Sequence, residues 1–547
     1  MHNTPCTLLT LAALAAFAGI ANAQNQSFTT VLDSRSSVGG VGTLAGIGQM
    51  VLQDDNAVAA LVRLGPTGTL PNAVTFNASP GNGAAQIVAQ SGQPHASFGI
   101  VGGGDFDELY NLSSVDGHVT FAAGETDGSG RGLFRYTYDV TSPARSAIHF
   151  AGGAISGDSA TLDTGFGFPA YGVNSLGHVV FGARSLVALP AIDPQLIARH
   201  TGGASATRIH AASDGVRNFN LPDSYVSTRK LLTSSGHAVF VGDVGDGLRR
   251  IYEVAPTPAS SVAQVRVNHS LEAGLYEPQR LLAATGDANT GTTLFHAYKN
   301  RPAPLNPLNP PNDDWQQGAL LVQSPSGLVE LASFDLANGA ATPDMTATMS
   351  DNGRVAAFIP DLTGGRIVYY DVSAGGAPAT IAEFGTDVGD GYAIKEMAID
   401  AGSVPMVNAR GTVVFDAVIA NEAGGDQRDA LLAWTPGSDA PFVIAKTGDT
   451  ITIGGEDQLI GQLGEANATF APFTPFPSEL AYDADVLKDG LNETDYLAFG
   501  VRYDNGAGVA ILLTHIPEPG GATLLTATAS ATLLHRKRNE NKRGRRG

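Results

Sequence analysis

The segments Asn174-Ser-Leu-Gly177-His-Val-Val-Phe181 and Asn408-Ala-Arg-Gly411-Thr-Val-Val-Phe415 decide the fold, because they are two copies of one short pattern. In each copy a polar residue precedes a glycine by three positions. This predicts a tight turn, since glycine adopts positive φ without a Cβ clash. The residues after the glycine predict a β-strand in which alternate side chains share one face. Each copy is therefore a turn followed by a strand that ends in phenylalanine.

The pattern recurs along the chain at a nearly constant period. The positions equivalent to its glycine are Ala57, Gly117, Gly177, Gly236, Gly291, Gly353, Gly411 and Asp495. Six successive gaps are 55 to 62 residues, and the last, of 84 residues, predicts an insertion within 449–480. Phe358 fits the pattern with one extra residue after Gly353. A fixed period of this length indicates a repeat architecture.

Each repeat predicts about four strands. A second strand follows the phenylalanine strand, as in 132–136 and 430–434, and a third ends in small residues, as in 86–92 and 442–448. A fourth, less regular strand is expected before the next turn. Four-stranded units predict an all-β fold, a β-propeller of about eight blades with seven as the alternative. Residues 29–34 resemble the third strand of other repeats, so we expect them to complete the last blade and close the ring.

Composition agrees with strands and turns and limits the partners. The chain has 547 residues, of which 67 are glycine, 43% are hydrophobic and 15% are charged, which is too apolar for disorder and too glycine-rich for a helical protein. Without residues 520–547, 25 basic residues face 51 acidic ones, a net charge of −26. We therefore expect no binding to nucleic acid. The only cysteine, Cys6, lies near the amino terminus, so the rest of the chain has no disulfide or thiolate metal site.

The amino terminus predicts an export signal. Residues 8–20 form an apolar run of signal-peptide length, too short for a stable membrane anchor. Ala21 and Ala23 flank Asn22 in the small-x-small pattern that precedes signal cleavage. The sequence therefore predicts a signal helix in residues 1–23 and cleavage after Ala23.

The carboxyl terminus has three parts in a fixed order. Pro517, Glu518 and Pro519 come first, then the apolar run 520–534, then a basic segment from 535 onward. This order places the apolar run in the bilayer and the basic end on the cytoplasmic side. It resembles the PEP-CTERM sorting signal of Gram-negative-type bacteria, which implies processing by an exosortase and transient membrane insertion of a short sorting helix. The repeats resemble the bacterial tandem-repeat family named for its NxxGxxVF motif, whose members end in varied surface anchors.

Two sets of side chains are candidate sites. His118, His178 and His237 occupy one equivalent position in three consecutive repeats, where a ring of imidazoles could bind a metal or a ligand. The sequence Asp-Val-Gly-Asp-Gly occurs at 243–247 and at 387–391. Its acidic residues could supply oxygen ligands to calcium, although hairpin turns favour the same residues. These acidic residues are Asp243, Asp246, Asp387 and Asp390.

No catalytic motif accompanies these candidates. The sequence contains no G-x-S-x-G elbow, no H-E-x-x-H pair and no P-loop. We therefore predict a signal peptide at 1–23, a non-catalytic propeller domain at 24–515 and a sorting tail at 516–547, with no resident cofactor. The protein is expected at the cell surface or in the extracellular matrix, delivered by the export machinery. The PEP-CTERM resemblance implies an exopolysaccharide as its partner. The alternative is a secreted propeller hydrolase or lyase that acts on such a polymer, because two acids placed together by the fold could form a glycosidase pair.

Overall fold

The computed structural model describes residues 27–517, with internal gaps, and contains almost only β-strands. The gaps are 66–72, 82–83, 101–103, 126–130, 139–142, 151–161, 164–170, 186–194, 203–205, 212–213, 221–231, 247, 257–262, 269–275, 300–316, 336–345, 361–364, 398–403, 422–424, 454, 464–490, 505 and 507. The predicted signal helix with Ala21 and Ala23, and the sorting tail with Glu518 and Pro519, lie outside the described residues; Pro517 is the last described residue. Within the described part of the chain, no helix has the length and apolar character needed to cross a membrane.

The strands form eight antiparallel sheets in chain order, which are the eight blades of a β-propeller. The predicted all-β propeller is confirmed, and eight rather than seven is the correct number of blades. The strands of blade 1 to blade 4 have the following bounds. Blade 1 contains β2 (Ser37–Val38), β3 (Gly42–Leu52), β4 (Val58–Leu64), β5 (Ala73–Asn77) and β6 (Gln86–Gln90), and a short 3-10 helix, His95–Phe98, follows it. Blade 2 contains β7 (Phe106–Val115), β8 (His118–Glu125), β9 (Arg131–Thr137) and β10 (Ala144–Phe150). Blade 3 contains β11 (Leu162–Asp163), β12 (Tyr171–Val173), β13 (Val179–Ser185), β14 (Gln195–His200) and β15 (Thr207–Ala211). Blade 4 contains β16 (Arg217–Asn220), β17 (Ala238–Asp243), β18 (Arg250–Val254) and β19 (Gln264–Val267).

The second half of the ring repeats this arrangement and takes its last strand from the start of the chain. Blade 5 contains β20 (Tyr276–Ala284), β21 (Thr293–Lys299), β22 (Gln317–Ser324) and β23 (Gly327–Asp335). Blade 6 contains β24 (Thr346–Met349), β25 (Arg354–Ile359), β26 (Arg366–Asp371) and β27 (Ala379–Glu383). Blade 7 contains β28 (Asp387–Gly389), β29 (Tyr392–Met397), β30 (Met406–Val407), β31 (Val413–Asn421), β32 (Gln427–Trp434) and β33 (Phe442–Lys446). Blade 8 contains β34 (Thr450–Ile453), β35 (Glu456–Leu463), β36 (Tyr496–Tyr503), β37 (Val509–His515) and β1 (Thr29–Asp33).

Each blade has, in order from the axis, an inner strand, the phenylalanine strand of the repeat, a third strand and an outer strand. The second and third strands of the predicted repeat correspond to the third and outer strands of the blade. Inner strands of neighbouring blades contact one another, as β3 does β7 and β24 does β20 and β30, so they surround the propeller axis. The repeat turns join inner strands to phenylalanine strands at one end of every blade. We call this the turn end; because the strands are antiparallel, it also carries the turns between third and outer strands. The opposite end, which we call the loop end, carries the other connections.

The repeat phenylalanines hold neighbouring blades together. Phe181 packs with Tyr110 and Leu133 of the preceding blade, and Phe415 packs with Ile367 of the preceding blade. Phe121, Phe181, Phe240, Phe295 and Phe415 are among the largest side chains that are fully buried. Burying one such ring contributes about 1.5–3 kcal/mol relative to leaving it exposed. Most blades therefore bury the same large ring against the preceding blade.

Two repeats depart from the predicted frame. In blade 1 the left-handed residue of the turn is Asn56, with φ 69°, and not Ala57, so the frame begins at Gln53. In blade 6 the extra residue turns Phe358 to the opposite face, toward blade 7, and Ala357 takes the position facing blade 5. Both corrections follow from the two-residue period of a strand, in which a shift of one residue moves every side chain to the other face.

The chain closes the ring with its first strand. β1 pairs antiparallel with β37, from Thr29 opposite Leu513 to Asp33 opposite Ala510. Phe28 lies edge-on to Phe499, with ring centroids 5.9 Å apart. The predicted closure by residues 29–34 is confirmed.

The insertion in the last repeat is absent from the first part of the predicted range of 449–480, because β34 and β35 form a regular hairpin between residues 450 and 463. Leu463 and Leu491 both pair with β36, opposite Val501 and Leu497. The rest of the predicted range, 464–480, lies outside the described residues.

Candidate functional site

The asparagine of the repeat builds the turn. The Oδ1 atom of Asn174 accepts hydrogen bonds from the backbone N–H groups of Leu176 at 3.1 Å and His178 at 3.0 Å. Asn408 does the same for Arg410 at 3.1 Å and Thr412 at 3.0 Å. The side chain thus satisfies two donors that a tight turn leaves unpaired.

Asn408 and the equivalent Asn492 also connect blades 7, 8 and 1 at the turn end. Asn408 Nδ2 donates to the backbone oxygen of Asn492 at 2.9 Å and to Asp495 Oδ1 at 2.8 Å in blade 8. Asn492 Nδ2 donates in turn to the backbone oxygen of Gln53 at 3.0 Å and to Asn56 Oδ1 at 2.8 Å in blade 1. The polar residue of the repeat therefore has a structural role, and in blades 7 and 8 its side chain joins neighbouring blades where the ring closes.

The glycines of the repeat are required by backbone conformation and by close packing. Gly177 has φ 69°, and a Cβ atom there would lie 2.7 Å from the ring of His118. Gly411 has φ 88°, and a Cβ atom there would lie 2.7 Å from the hydroxyl of Tyr369. These residues therefore belong to the scaffold and not to a binding site.

The two Asp-Val-Gly-Asp-Gly segments are not brought together. Asp243 and Asp246 lie in the loop-end turn between β17 and β18, whereas Asp387 and Asp390 lie in the β28–β29 hairpin of blade 7. Asp243 Oδ1 accepts from the N–H of Gly245 at 2.6 Å, and Asp387 Oδ1 accepts from the N–H of Gly389 at 2.8 Å. In both segments a carboxylate thus shapes a turn. Asp246 also pairs with Arg250 at 2.6 Å.

The three histidines occupy equivalent places at the turn ends of blades 2, 3 and 4. His118 Nδ1 lies 3.1 Å from Thr137 Oγ1, and His237 Nδ1 lies 3.0 Å from Ser235 Oγ. Burial lowers the pKa of His118, and the Arg135 guanidinium lowers it further. Burial also lowers the pKa of His178, with smaller contributions from Arg199 and Arg135. Among the residues that the structure describes, no three His, Cys, Asp or Glu side chains are grouped to hold a metal ion.

A cluster of polar side chains that no sequence spacing indicates lies at the loop end of blade 7. It consists of Tyr392, Asp426, Arg428 and Lys446, and we call it the loop-end cluster. Tyr392 comes from the start of the inner strand, Asp426 and Arg428 from the residues on either side of the start of β32, and Lys446 from the end of the outer strand. The side chains of Asp426, Arg428 and Lys446 are 39%, 30% and 20% exposed. Three chain segments therefore present charged and aromatic groups to solvent at one place.

Hydrogen bonds fix the geometry of the loop-end cluster. The Tyr392 hydroxyl donates to Asp426 Oδ2 at 2.5 Å, and Arg428 Nε donates to Asp426 Oδ1 at 2.9 Å. Arg428 Nη1 also donates to the backbone oxygen of Thr447 at 2.7 Å. Lys446 Nζ lies 3.0 Å from Asp449 Oδ1 and 5.9 Å from the centre of the Tyr392 ring. The cluster is thus arranged before any ligand arrives.

The hydrogen bonds of the cluster also set the protonation states of Asp426 and Tyr392. Hydrogen bonds from Arg428 and Tyr392 lower the pKa of Asp426, which stays ionised. The hydrogen bond to Asp426 raises the pKa of Tyr392, which stays protonated. A general acid or base needs a pKa near the working pH. Asp426 and Tyr392 therefore act as an acceptor and a donor at neutral pH.

An exposed aromatic residue accompanies the cluster. Phe384 is 59% exposed and follows β27 in the connection from blade 6 to blade 7. The next residue, Gly385, donates its N–H to the backbone oxygen of Ile394 at 2.8 Å, so this connection runs beside the strand that carries Tyr392. An exposed aromatic face is suited to stacking on an apolar face of a ligand.

Comparisons with known proteins extend to remote structural similarity alone. No family model matches the chain, and no curated protein matches it. Among solved structures, a prolyl endopeptidase matches with 10% identity over 80% of this chain and 56% of its own, with a TM-score of 0.37. An oligogalacturonate lyase in complex with manganese matches with 10% identity, over 75% of this chain and 97% of that one, with a TM-score of 0.38. The β-propeller domain of the Trilobed protease from Pyrococcus furiosus matches with 10% identity, over 73% and 95%, with a TM-score of 0.35. The chain thus spans little more than half of the prolyl endopeptidase, and similarities at this level transfer neither an activity nor a ligand.

Proposed function

We propose that this chain is an exported, non-catalytic propeller that binds an extracellular polysaccharide through its loop end. The observation that carries the proposal is the loop-end cluster, a fixed set of partly exposed donors and acceptors, together with the exposed Phe384 on the connection that pairs with the strand of Tyr392. Sugars offer hydroxyl groups to such donors and acceptors and apolar ring faces to aromatic side chains. The lowered pKa of Asp426 and the raised pKa of Tyr392 keep one group as an acceptor and the other as a donor for the hydroxyl groups of a sugar.

The ends of the chain support a location outside the cytoplasm. Residues 1–23 have the pattern of a signal peptide, and residues 516–547 have the order of a sorting tail. We propose that an exosortase-type enzyme processes this tail after transient membrane insertion. The protein would then reside at the cell surface or in the extracellular matrix of a Gram-negative-type bacterium.

The positions of the two ends also orient the propeller. Thr514 Oγ1 donates to the backbone oxygen of Ser27 at 3.2 Å, and the N–H of Ile516 donates to the backbone oxygen of Asp495 at 2.7 Å. Both ends of the described chain therefore leave blade 8 at its turn end. While the tail is in a membrane, the turn end faces that membrane and the loop end points away from it. This places the loop-end cluster where a polymer outside the cell can reach it.

Binding is expected to depend on the loop end. Phe384→Ala should weaken retention on a polysaccharide affinity gel about tenfold, because a lost aromatic contact costs about 1.5 kcal/mol. Tyr392→Phe keeps the ring and removes the hydroxyl, so it separates stacking from hydrogen bonding. Leu176→Ala is the matched control, since Leu176 is 64% exposed but lies at the turn end. A glycan array first selects the polymer, and the gel then measures the affinity of each variant.

The same experiment tests the enzymatic alternative. If incubation with the selected polymer releases shorter products, and substitution of one or two loop-end acids stops this release, the protein is a hydrolase or a lyase. Equal retention of Phe384→Ala, Tyr392→Phe and the wild-type protein would contradict binding at the loop-end cluster.

The orientation is expected to appear in cysteine labelling, because the chain has no cysteine after Cys6. Glu383→Cys places a thiol at the loop end and Asp351→Cys places one at the turn end, both at exposed positions. On cells that retain the tail, a bulky impermeant maleimide should label residue 383 several times faster than residue 351. In protein released from cells, the two rates should be equal. Faster labelling at residue 351 on cells would contradict the orientation.

A further inference from the structure

Two buried arginines occupy equivalent positions in blades 2 and 3. Arg135 on β9 lies opposite Thr120, and Arg199 on β14 lies opposite Val180. Thr120 and Val180 are both the third residue after the glycine of their repeat. Arg135 is 9% exposed and Arg199 is 4% exposed. The fold therefore repeats a buried guanidinium group in consecutive blades.

Both guanidinium groups reach the turn of the next blade but no carboxylate. Arg135 Nη1 donates to the backbone oxygen of Gly177 at 3.0 Å, and Arg199 donates to the backbone oxygens of Gly236 and Pro256. The Nε atoms of both arginines are buried and have no hydrogen-bond acceptor in the described part of the chain. No ion pair joins either arginine to an acid there. Burying a charge without a counter-charge is costly, and carbonyl dipoles offset only part of that cost.

In blade 4 the equivalent strand position carries a charged residue that does have a counter-charge. The residue equivalent to Arg135 and Arg199 is Glu253, which pairs with Val239 across the strands. Its carboxylate lies 3.1 Å from Arg266 Nη1 and accepts the N–H of Ala288 at 3.0 Å. The fold thus accommodates a paired acid at this level, and blades 2 and 3 carry positive charge in its place.

Two histidines lie beside these arginines and become cationic only when they are protonated. The ring of His118 packs against Gly177, whose carbonyl Arg135 binds, and His178 is the next residue. After burial, the charges of Arg199 and Arg135 also lower the pKa of His178. We define His118, Arg135, His178 and Arg199 as the basic seam, which runs along the turn end from blade 2 to blade 4. The acid nearest in sequence is Asp116, two residues before His118, and His200 lies at the end of β14.

We propose that the basic seam binds an oxyanion, the carboxylate or sulfate group of an extracellular polymer. An oxyanion at either arginine would supply the missing counter-charge, and a guanidinium group suits planar recognition of such groups. The seam lies at the turn end, away from the loop-end cluster. Loss of binding at one site can therefore be distinguished from loss of binding at the other. The arginines of the seam are positively charged, whereas the whole chain has a net charge of −20.

The proposal predicts a pH dependence with a definite sign. The pKa values of His118 and His178 lie below that of a free histidine, so both rings are largely neutral at pH 7.5. A bound anion favours the protonated rings, so affinity should rise as the pH falls from 7.5 to about 5.5, where carboxylate probes stay ionised. By linkage, the anion should raise the pKa of both histidines.

The test uses the full chain with three probes: sodium sulfate, galacturonate and an oligogalacturonate, each against sodium chloride at equal ionic strength. NMR titration of the imidazole signals should show a higher pKa for His118 and His178 with a probe present. Replacement of one charged hydrogen-bonding group, in Arg135→Gln or Arg199→Gln, should weaken binding about tenfold. Stronger binding of the oligomer than of galacturonate identifies a polymer, whereas equal binding of sulfate and oligomer indicates a single free anion.

Two further variants keep the test decisive. Arg135→Lys retains the charge and the fold but loses the planar fork, and His178→Gln should remove most of the pH dependence of binding. Arg250→Gln is the control, since it removes one positive charge at the loop end. If no probe moves the histidine signals or the melting temperature of a folded wild-type protein beyond the chloride control, the arginines only connect blades and the proposal is wrong.

Discussion

Deleting residues 24–34 is expected to lower the free energy of unfolding by about 5 kcal/mol and to cause association of the protein. β1 supplies the outer strand of blade 8, where Val31 and Leu32 are 7% and 8% exposed and Phe28 contacts Phe499. Loss of three largely buried apolar side chains accounts for about 5 kcal/mol at roughly 1.5–3 kcal/mol each. The deletion also leaves β37 as an open edge, which promotes pairing between chains. Denaturant unfolding and size-exclusion chromatography measure the two effects.

The controls for this deletion separate closure from simple truncation. Removal of residues 24–26 alone, which precede the described chain, should leave stability unchanged. A synthetic peptide of residues 27–35 should restore a monomer, since it can pair with β37 in the same register. If the deletion does not fold, Leu32→Ala should still cost about 2–3 kcal/mol through lost burial. A monomeric deletion protein with unchanged stability would show that closure by β1 contributes nothing.

The second large effect is expected for Asp495→Ala, which should cost about 3–5 kcal/mol. Asp495 is 3% exposed, and its carboxylate accepts from Asn408 Nδ2 at 2.8 Å and Thr412 Oγ1 at 2.5 Å. Arg410 Nη1 lies 3.1 Å from its other oxygen. The alanine variant leaves the buried amide and hydroxyl groups unpaired, which carries the full desolvation penalty. It also places alanine at φ 64°, which aspartate tolerates better.

The comparison that tests this account uses two further variants and thermal or denaturant unfolding. Asp351→Ala, an exposed acid in the equivalent turn of blade 6, should change stability by less than about 0.5 kcal/mol. Asp495→Asn keeps the size and the tolerance of positive φ, so it should cost less than Asp495→Ala. A loss below 1 kcal/mol for Asp495→Ala would mean that the junction of blades 7 and 8 does not depend on this carboxylate.

The repeat pattern predicted the propeller, the number of blades and the closure by residues 29–34. It could do so because the blades share one local design, a tight turn followed by a strand that in most blades buries one large ring. It misplaced the turn position of blade 1 by one residue, at Ala57, because several polar residues in a row leave the start of a turn undetermined. It did not predict that the extra residue before Phe358 turns this side chain to the opposite face of the blade. Hydrogen bonds from Gln53 and the positive φ of Asn56 decide the frame in blade 1.

The candidate sites show the limit of such reasoning. The two Asp-Val-Gly-Asp-Gly segments are identical in sequence, yet one lies between β17 and β18 and the other forms the hairpin before β29. The loop-end cluster, in contrast, joins Tyr392 to Asp426 and to Lys446 with no motif between them. No periodicity marks such a cluster, because its members come from different strands of one blade.

The amino-acid sequence by itself determined the strands and the ring, since turn conformation and two-residue alternation are local properties of the backbone. Only the tertiary structure decided which charges meet. Arg135 and Arg199 are ordinary strand residues in the sequence, and their burial against the turns of the next blade depends on how the blades pack. Electrostatic energy depends on distance in space and on exclusion of water, and neither quantity follows from the order of residues in the sequence.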